Sequence, residues 1–293
     1  MILWPDCFNT YFRNATAIAA VKVLEAAVFA VTIPSRPLCC GRPLYDWGML
    51  DTAKRLWRQT LDTLRDDIEA GVPIVGLEPA CLSAFRDELI EFFPEDPLAK
   101  KLSAQSLFFS EFLARHCGDL DIPKRRAKAL VQVHCHHHAV IKPRDEWKLL
   151  DRLGLDYDAV PSGCCGMAGS FGFEDDKYEV SMTAGERVLL PAVRDAPADT
   201  LVLADGFSCR EQIEQGTGRS TLHAAELTAR ALGLEAEVRR EARAENPVQT
   251  ATTLALAAAV GLGLGILVRR AYAGPLLRAS AYDGRIGDGV ESA

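Results

Sequence analysis

Basic residues are in short supply: 33 lysines and arginines face 40 aspartates and glutamates, a formal net charge of −7, and the arginines form no stripe. That balance excludes a nucleic-acid surface, because phosphate binding needs clustered positive charge. No secretory leader is visible. The run Met1-Ile2-Leu3-Trp4-Pro5-Asp6 is short and meets an acid at once, so a cytoplasmic location is expected. No Gly-x-Gly-x-x-Gly follows a predicted strand; Gly261-Leu262-Gly263-Leu264-Gly265 lies in an apolar tail, so no independent flavin or nicotinamide site is visible. A Cys-x-x-Cys-x-x-Cys-x-x-x-Cys-Pro run is missing as well, which excludes clusters of the bacterial ferredoxin kind. The remaining composition, 48% apolar and 25% charged over 293 residues, is globular and gives room for two ordinary domains.

What the chain does have is nine cysteines, and in a reducing compartment these read as metal or redox groups rather than as a disulfide frame. With Cys117 set aside, one phrase occurs twice: Cys7, Cys39-Cys40-Gly41, Cys81, and then Cys135, Cys164-Cys165-Gly166, Cys209. Corresponding cysteines lie 128, 125 and 128 residues apart. Each Cys-Cys-Gly follows a Pro-Ser pair, Pro34-Ser35 or Pro161-Ser162. A repeat of this length implies a duplicated domain rather than a solenoid. Cys117 has no counterpart and reads as a helix-end cysteine.

Periodicity predicts alternating strands and helices. Strands are expected over 1–4, 29–33, 73–77, 129–134, 156–160 and 200–204. Helices are expected over 15–27 with Asn14 as cap, 49–69 closed by Gly71, 107–116, a stretch ending near Gly154, 174–194 and 222–232. The fold class is α/β: two tandem pseudo-symmetric units, 1–122 and 123–233, with parallel sheets flanked by helices. A charged linker (234–250), an apolar helix (251–270) and a disordered tail (271–293) complete the expected layout. The uncharged stretch 251–268 is at the lower limit of a membrane span and is a candidate anchor on the cytoplasmic side; a helix docked on a partner is the alternative.

Each cysteine falls just after a strand, where open α/β sheets place their ligand crevices. Cys7, Cys39, Cys40 and Cys81 can therefore meet at one sheet edge, and Cys135, Cys164, Cys165 and Cys209 at another. Four thiolates suit one four-iron cluster or one tetrahedral zinc.

The spacing of these cysteines resembles the cysteine-rich CCG domain, found in duplicate in a subunit of heterodisulfide reductase and in iron–sulfur subunits of glycolate oxidase, lactate-utilisation and anaerobic glycerol-3-phosphate dehydrogenase systems. The stretches Leu3-Trp4-Pro5-Asp6, Arg36 to Leu44, Gly163 to Gly172 and Asp205 to Arg210 also look like the C-terminal part of fused FAD-linked oxidase/iron–sulfur proteins. The resemblance covers residues 1 to about 232. It implies up to two 4Fe-4S clusters on the eight cysteines, with zinc in one site as a further option. It also implies FAD supplied by a flavin-containing dehydrogenase partner and a separate electron acceptor. The start on the first strand also fits a split or fragmentary gene product. Where heterodisulfide reductase has Cys-x-x-Cys, this chain has Glu78 and Gly206 before Cys81 and Cys209. Four cysteines per site, not five, argue against noncubane clusters and disulfide-reducing chemistry. A zinc-stabilised interaction module without redox work is the third reading.

Four of the six histidines crowd into His134-Cys135-His136-His137-His138. The family motif has His-Cys-His here, which makes His134 and His136 the candidate catalytic or proton-carrying groups. His137 and His138 read as the start of an exposed helix. Arg36, Arg42 and Arg210 read as charge compensation for the cysteines, as groups that bind an acid substrate, or as ordinary surface residues. Phe171-Gly172-Phe173 reads as a pocket wall or core, and Trp47 and Trp57 as packing. Glu78 reads as solvated or as a cap for the following helix, with a fifth, oxygen ligand to the metal as the alternative.

Overall fold

The computed structural model describes residues 1–244. Two three-stranded parallel sheets organise them. The first contains β1 (Ile2–Leu3), β2 (Ile74–Gly76) and β3 (Ser106–Phe108) in the order β1-β2-β3. The second contains β4 (Lys128–Gln132), β5 (Asp156–Ala159) and β6 (Leu201–Ala204) in the order β5-β4-β6. Single bridges extend each sheet: Thr32 pairs with Ile2, and Leu222 with Leu203. Both sheets then read, across their width, as the second, first, third and fourth extended segments of their part of the chain. Parallel strands need crossover connections, and helices supply them here.

One apolar core serves both sheets. Leu3, Val75 and Leu107 of the first sheet and Ala129, Val131 and Leu203 of the second belong to a single cluster with Phe109, Phe112, Leu149 and Leu150. The helices Asn14–Ala26 and Ala224–Ala231 meet through it. Ala19, Ala20, Ala224 and Ala225 are buried there, and their small side chains permit close approach. A second cluster around Trp57, Ile74, Phe85 and Leu102 lies under the first thiol set, and a smaller one around Val160, Leu189 and Val202 under the second.

Several elements differ from the expected ones. The run 29–33 pairs only at Thr32, so it is an isolated bridge and not a full strand. Arg13, not Asn14, occupies the cap position of the first long helix; the Asn14 amide instead donates to the carbonyl of Ala242, 3.2 Å away. The expected helix 49–69 breaks at Leu64 into Leu50–Thr63 and Arg65–Glu69, and 174–194 becomes Tyr178–Glu186 and Leu189–Asp195. The charged stretch after 234 carries a helix, Glu235–Ala244, tied by Arg239–Glu235 and by Arg230–Glu235. Among the described residues no helix is long and apolar enough to cross a membrane; the apolar stretch 251–268 and the tail 271–293 lie outside them.

Candidate metal centres

The first thiol set is assembled by three strand ends. Cys7 follows β1, where the Asp6 carboxylate accepts the Asn9 backbone N–H (2.8 Å) and side-chain amide (3.0 Å) and so shapes the turn. Cys39 and Cys40 lie in the loop beyond Thr32. Cys81 sits in the first turn of the helix Pro79–Arg86, directly after β2. Cys40 and Cys81 bring their sulfurs to 2.9 Å, and the Cys39 thiol lies against that of Cys40, with Cys7 beside Cys39. Cys40 and Cys81 are buried, Cys39 half-buried and Cys7 exposed.

The second set repeats this arrangement. Cys135 follows β4, Cys164 and Cys165 lie in the loop after β5, and Cys209 sits in the first turn of the helix Phe207–Thr217 after β6. Thiol contacts link Cys135 to Cys164, Cys164 to Cys165, and Cys165 to Cys209. Each Cys-Cys-Gly turn is held by its glycine. The N–H of Gly41 donates to the Cys39 sulfur (3.5 Å) and that of Gly166 to the Cys164 sulfur (3.3 Å). Both glycines have positive φ, +78° and +96°, and a Cβ on Gly166 would stand 2.2 Å from the Ser181 carbonyl oxygen. The Trp57 indole N–H donates to the Cys40 carbonyl at 2.7 Å, so this residue fixes the turn as well as filling the core.

Electrostatics favour a cation within each set. Hydrogen bonding to Cys40 and burial push the Cys39 thiol up, and contact with Cys164 and burial do the same to Cys135. For Cys81 the contact with Cys40 pulls down, but burial and the charges of Asp6 and Glu78 outweigh it, leaving about 11. In the second set only Cys164 is held low, by hydrogen bonds from Cys135 and then Cys165. Several thiolates this close to one another need positive charge among them. Converging soft sulfur donors fit iron–sulfur clusters or zinc and poorly fit magnesium or calcium. Cys117 belongs to neither set: it is buried in the main core at the end of the helix Phe109–His116, and burial pushes its thiol to about 11.

His134 and His136 lie beside Cys135 with ring centroids 5.3 Å apart, nearly parallel, and the His136 N–H donates to Nδ1 of His134 (3.2 Å). Burial, then His136, lowers His134 to about 3. The imidazole of His134 occupies the space over Gly206, where a Cβ would come within 2.1 Å of its Cδ2. Thus in the second half a histidine ring fills the place beside the residue that stands three positions before the last cysteine. In the first half that position is Glu78. Its carboxylate does cap the helix Pro79–Arg86, accepting the Ala80 N–H at 3.3 Å, but it is buried rather than solvated. It also accepts the N–H of Phe207, 129 residues away, at 2.9 Å. Burial, then the charge of Asp6, raises Glu78 to about 8.

Other expectations need correction. His137 is buried, packed on Phe108 with ring centroids 4.6 Å apart, instead of opening an exposed helix; His138 is exposed. Arg42 and Arg210 are buried, not superficial. Arg42 pairs with Glu88 and donates to Ser83 Oγ (2.9 Å); Arg210 pairs with Glu226 (3.2 Å) and donates to Thr16 Oγ1 (3.0 Å) and Thr221 Oγ1 (3.1 Å). Both are committed to protein partners. Arg36 is exposed and donates to Thr63. Trp47 and Phe173 are exposed. Motif and spacing do not single out Glu146 or His223, and Asp205 enters only as the first residue of the stretch Asp205 to Arg210, yet all three are buried near these centres. His223 caps the helix Ala224–Ala231 through Nδ1, which accepts the Ala225 N–H at 3.0 Å, and Glu226 closes the capping box; the His-x-x-Glu spacing is the signal that could have found it.

Sequence comparison agrees with this architecture. The cysteine-rich CCG domain matches residues 1–86. Among characterised proteins it is similar to a subunit of the anaerobic glycerol-3-phosphate dehydrogenase of Escherichia coli K12, with 29% identity over 231 residues, covering 77% of this chain and 57% of that protein. Lactate utilization protein A of Bacillus subtilis 168 is 28% identical over 208 residues (65% of this chain, 85% of the relative). D-2-hydroxyglutarate dehydrogenase of Pantoea ananatis is 25% identical over 227 residues, 76% of this chain but 22% of that enzyme. The chain thus spans little more than half of the first relative and about a fifth of the third.

Proposed function

We propose that this chain is an iron–sulfur electron-transfer component of a flavin-dependent 2-hydroxy-acid dehydrogenase. It is read as a duplicated CCG unit, 1–122 and 123–233, working with a flavin-containing dehydrogenase partner and a separate electron acceptor. The observation that carries the reading is the convergence of two separate sets of four thiols, each at the C-terminal ends of three parallel segments. Cys7, Cys39, Cys40 and Cys81 would hold one four-iron cluster, and Cys135, Cys164, Cys165 and Cys209 the other. Such clusters, when bound, supply reversible one-electron transfer. The N–H groups of Gly41 and Gly166 donate to cysteine sulfur, which raises a cluster's potential by stabilising negative charge. His134 and His136 lie beside Cys135 of the second set. The names of the relatives support a dehydrogenase role, and the absence of a dinucleotide fingerprint supports flavin in another polypeptide.

The test is iron, zinc and acid-labile sulfide per chain on protein purified without oxygen, with EPR spectra before and after dithionite. About eight irons with matching sulfide are expected from two four-iron clusters. Cys40→Ser and Cys165→Ser should each lose about half of both. Stoichiometric zinc without iron, or full cluster content in both variants, would overturn the reading.

A further inference from the structure

A buried group of side chains outside both thiol sets has no assigned role. His137 follows β4, Glu146 lies in the helix Arg144–Arg152, and Asp205 directly follows β6; all three are buried. One ligating atom from each lies within 4.8 Å of the others. Nε2 of His137 and Oε2 of Glu146 have no hydrogen-bond partner. Buried polar atoms are paired in the great majority of cases, so two orphans on residues of one cluster require an account.

Charge sharpens the question. Arg42, Arg86 and Arg210 are committed to Glu88, Glu111 and Glu226. His223, 3.6 Å from Asp205, offers no compensation: its Nδ1 accepts an amide hydrogen from Ala225 and its Nε2 faces the Leu77 carbonyl at 3.1 Å. Asp205 Oδ1 already accepts the Ala224 N–H at 2.8 Å, which orients the carboxylate. Two buried carboxylates and one neutral imidazole form the donor set of a divalent first-row cation. Two negative charges and one dication leave no net charge inside the protein.

We propose that His137, Glu146 and Asp205 bind one zinc ion, distinct from the cysteine centres, that fixes the segments after β4 and β6 that carry Cys135 and Cys209. Ligands of a tetrahedral zinc stand about 3.4 Å apart, so the three side chains need only a small contraction from their present separation. Phe108 packs on the His137 ring and excludes water from one side.

The test uses the full chain with its cysteine centres filled anaerobically, incubated with cobalt(II) chloride or zinc sulfate and desalted. About one equivalent of cobalt is expected, with visible ligand-field bands and no sulfur-to-cobalt charge-transfer band. Zinc-edge absorption should show nitrogen and oxygen neighbours near ~2.0–2.1 Å and no sulfur shell near ~2.3 Å. Glu146→Gln and Asp205→Asn should each lose the equivalent while retaining iron and sulfide; two variants guard against a misfolded one. No uptake, uptake with sulfur charge transfer alone, or unchanged uptake in both variants would overturn the site. Iron and sulfide are read separately, so failure of the cluster assignment and failure of the zinc site give different results.

Discussion

Gly206→Ala isolates the feature that separates the second thiol set from the first. Gly206 has φ −77° and ψ 131°, a conformation open to alanine, so the substitution introduces no backbone strain. Its cost is steric. The new Cβ would stand 2.1 Å from Cδ2, 2.8 Å from Cγ and 3.1 Å from Nε2 of His134. Carbon atoms in ordinary contact are about 3.5 Å apart, so the ring must retreat by about 1.4 Å. It is buried and stacked on His136, so retreat disturbs Cys135 between them. Overpacking of this kind costs about 1–3 kcal/mol. Urea denaturation of wild type, Gly206→Ala, His134→Ala and the double variant forms a thermodynamic cycle. The alanine should cost about 2 kcal/mol with His134 present and under about 0.5 kcal/mol without it, the remainder reflecting the helix cap. EPR of the single variant should show one altered and one unaltered component. Equal costs in both backgrounds would refute the argument that the histidine ring owns this space.

Glu78→Gln tests the buried acid of the first half. Its carboxyl is raised from 4.5 to about 8, so the folded state holds the proton more tightly and stability falls as pH rises between those values, by at most about 1.4 kcal/mol per pH unit. Glutamine removes that slope and loses one of two backbone acceptor contacts, worth about 1 kcal/mol. The variant should therefore be less stable than wild type at pH 5 and more stable at pH 8.5 in denaturation curves; parallel pH profiles would exclude the assignment. Gly166→Ala should be more damaging than most surface changes, because it combines φ +96° with a 2.2 Å approach to the Ser181 carbonyl. It should lower iron content by about half with the first set intact, and a fully loaded variant would contradict the role given to that turn.

Much of the site is legible in the sequence because the cysteine phrase is local and occurs twice. Short apolar runs place the strand ends, and with them Cys7, Cys81, Cys135 and Cys209. The pattern misleads where a long-range contact decides the outcome. The run 29–33 has the composition of a strand, yet only Thr32 finds a partner. His137 follows His136 in a polar string that suggests exposure, but Phe108 covers it. The arginines beside the cysteines leave their role open in the sequence because Glu88 and Glu226 lie 46 and 16 residues further along the chain and meet them only after folding. Glu78 shows half its role in the sequence, as a cap, and keeps the other half for Phe207. Glu146 sits in ordinary local surroundings and Asp205 stands at the head of a cysteine motif, and only packing brings them to His137.

The single core beneath both sheets has a consequence for inheritance. Leu3 and Val131, or Ala20 and Ala225, now share one interior, so neither half could be transplanted or lost without leaving the other with a bare apolar face. Such a pair is bound to travel as one heritable unit. The turns at the strand ends lie outside most of that interior, although Glu78 and Phe207 join two of them across the halves. It is at these turns that the two thiol sets differ: an acid pair, Asp6 and Glu78, on one side, and an imidazole over a glycine, His134 and Gly206, on the other. A shared foundation thus frees the two ends to acquire different chemistry while the scaffold stays fixed.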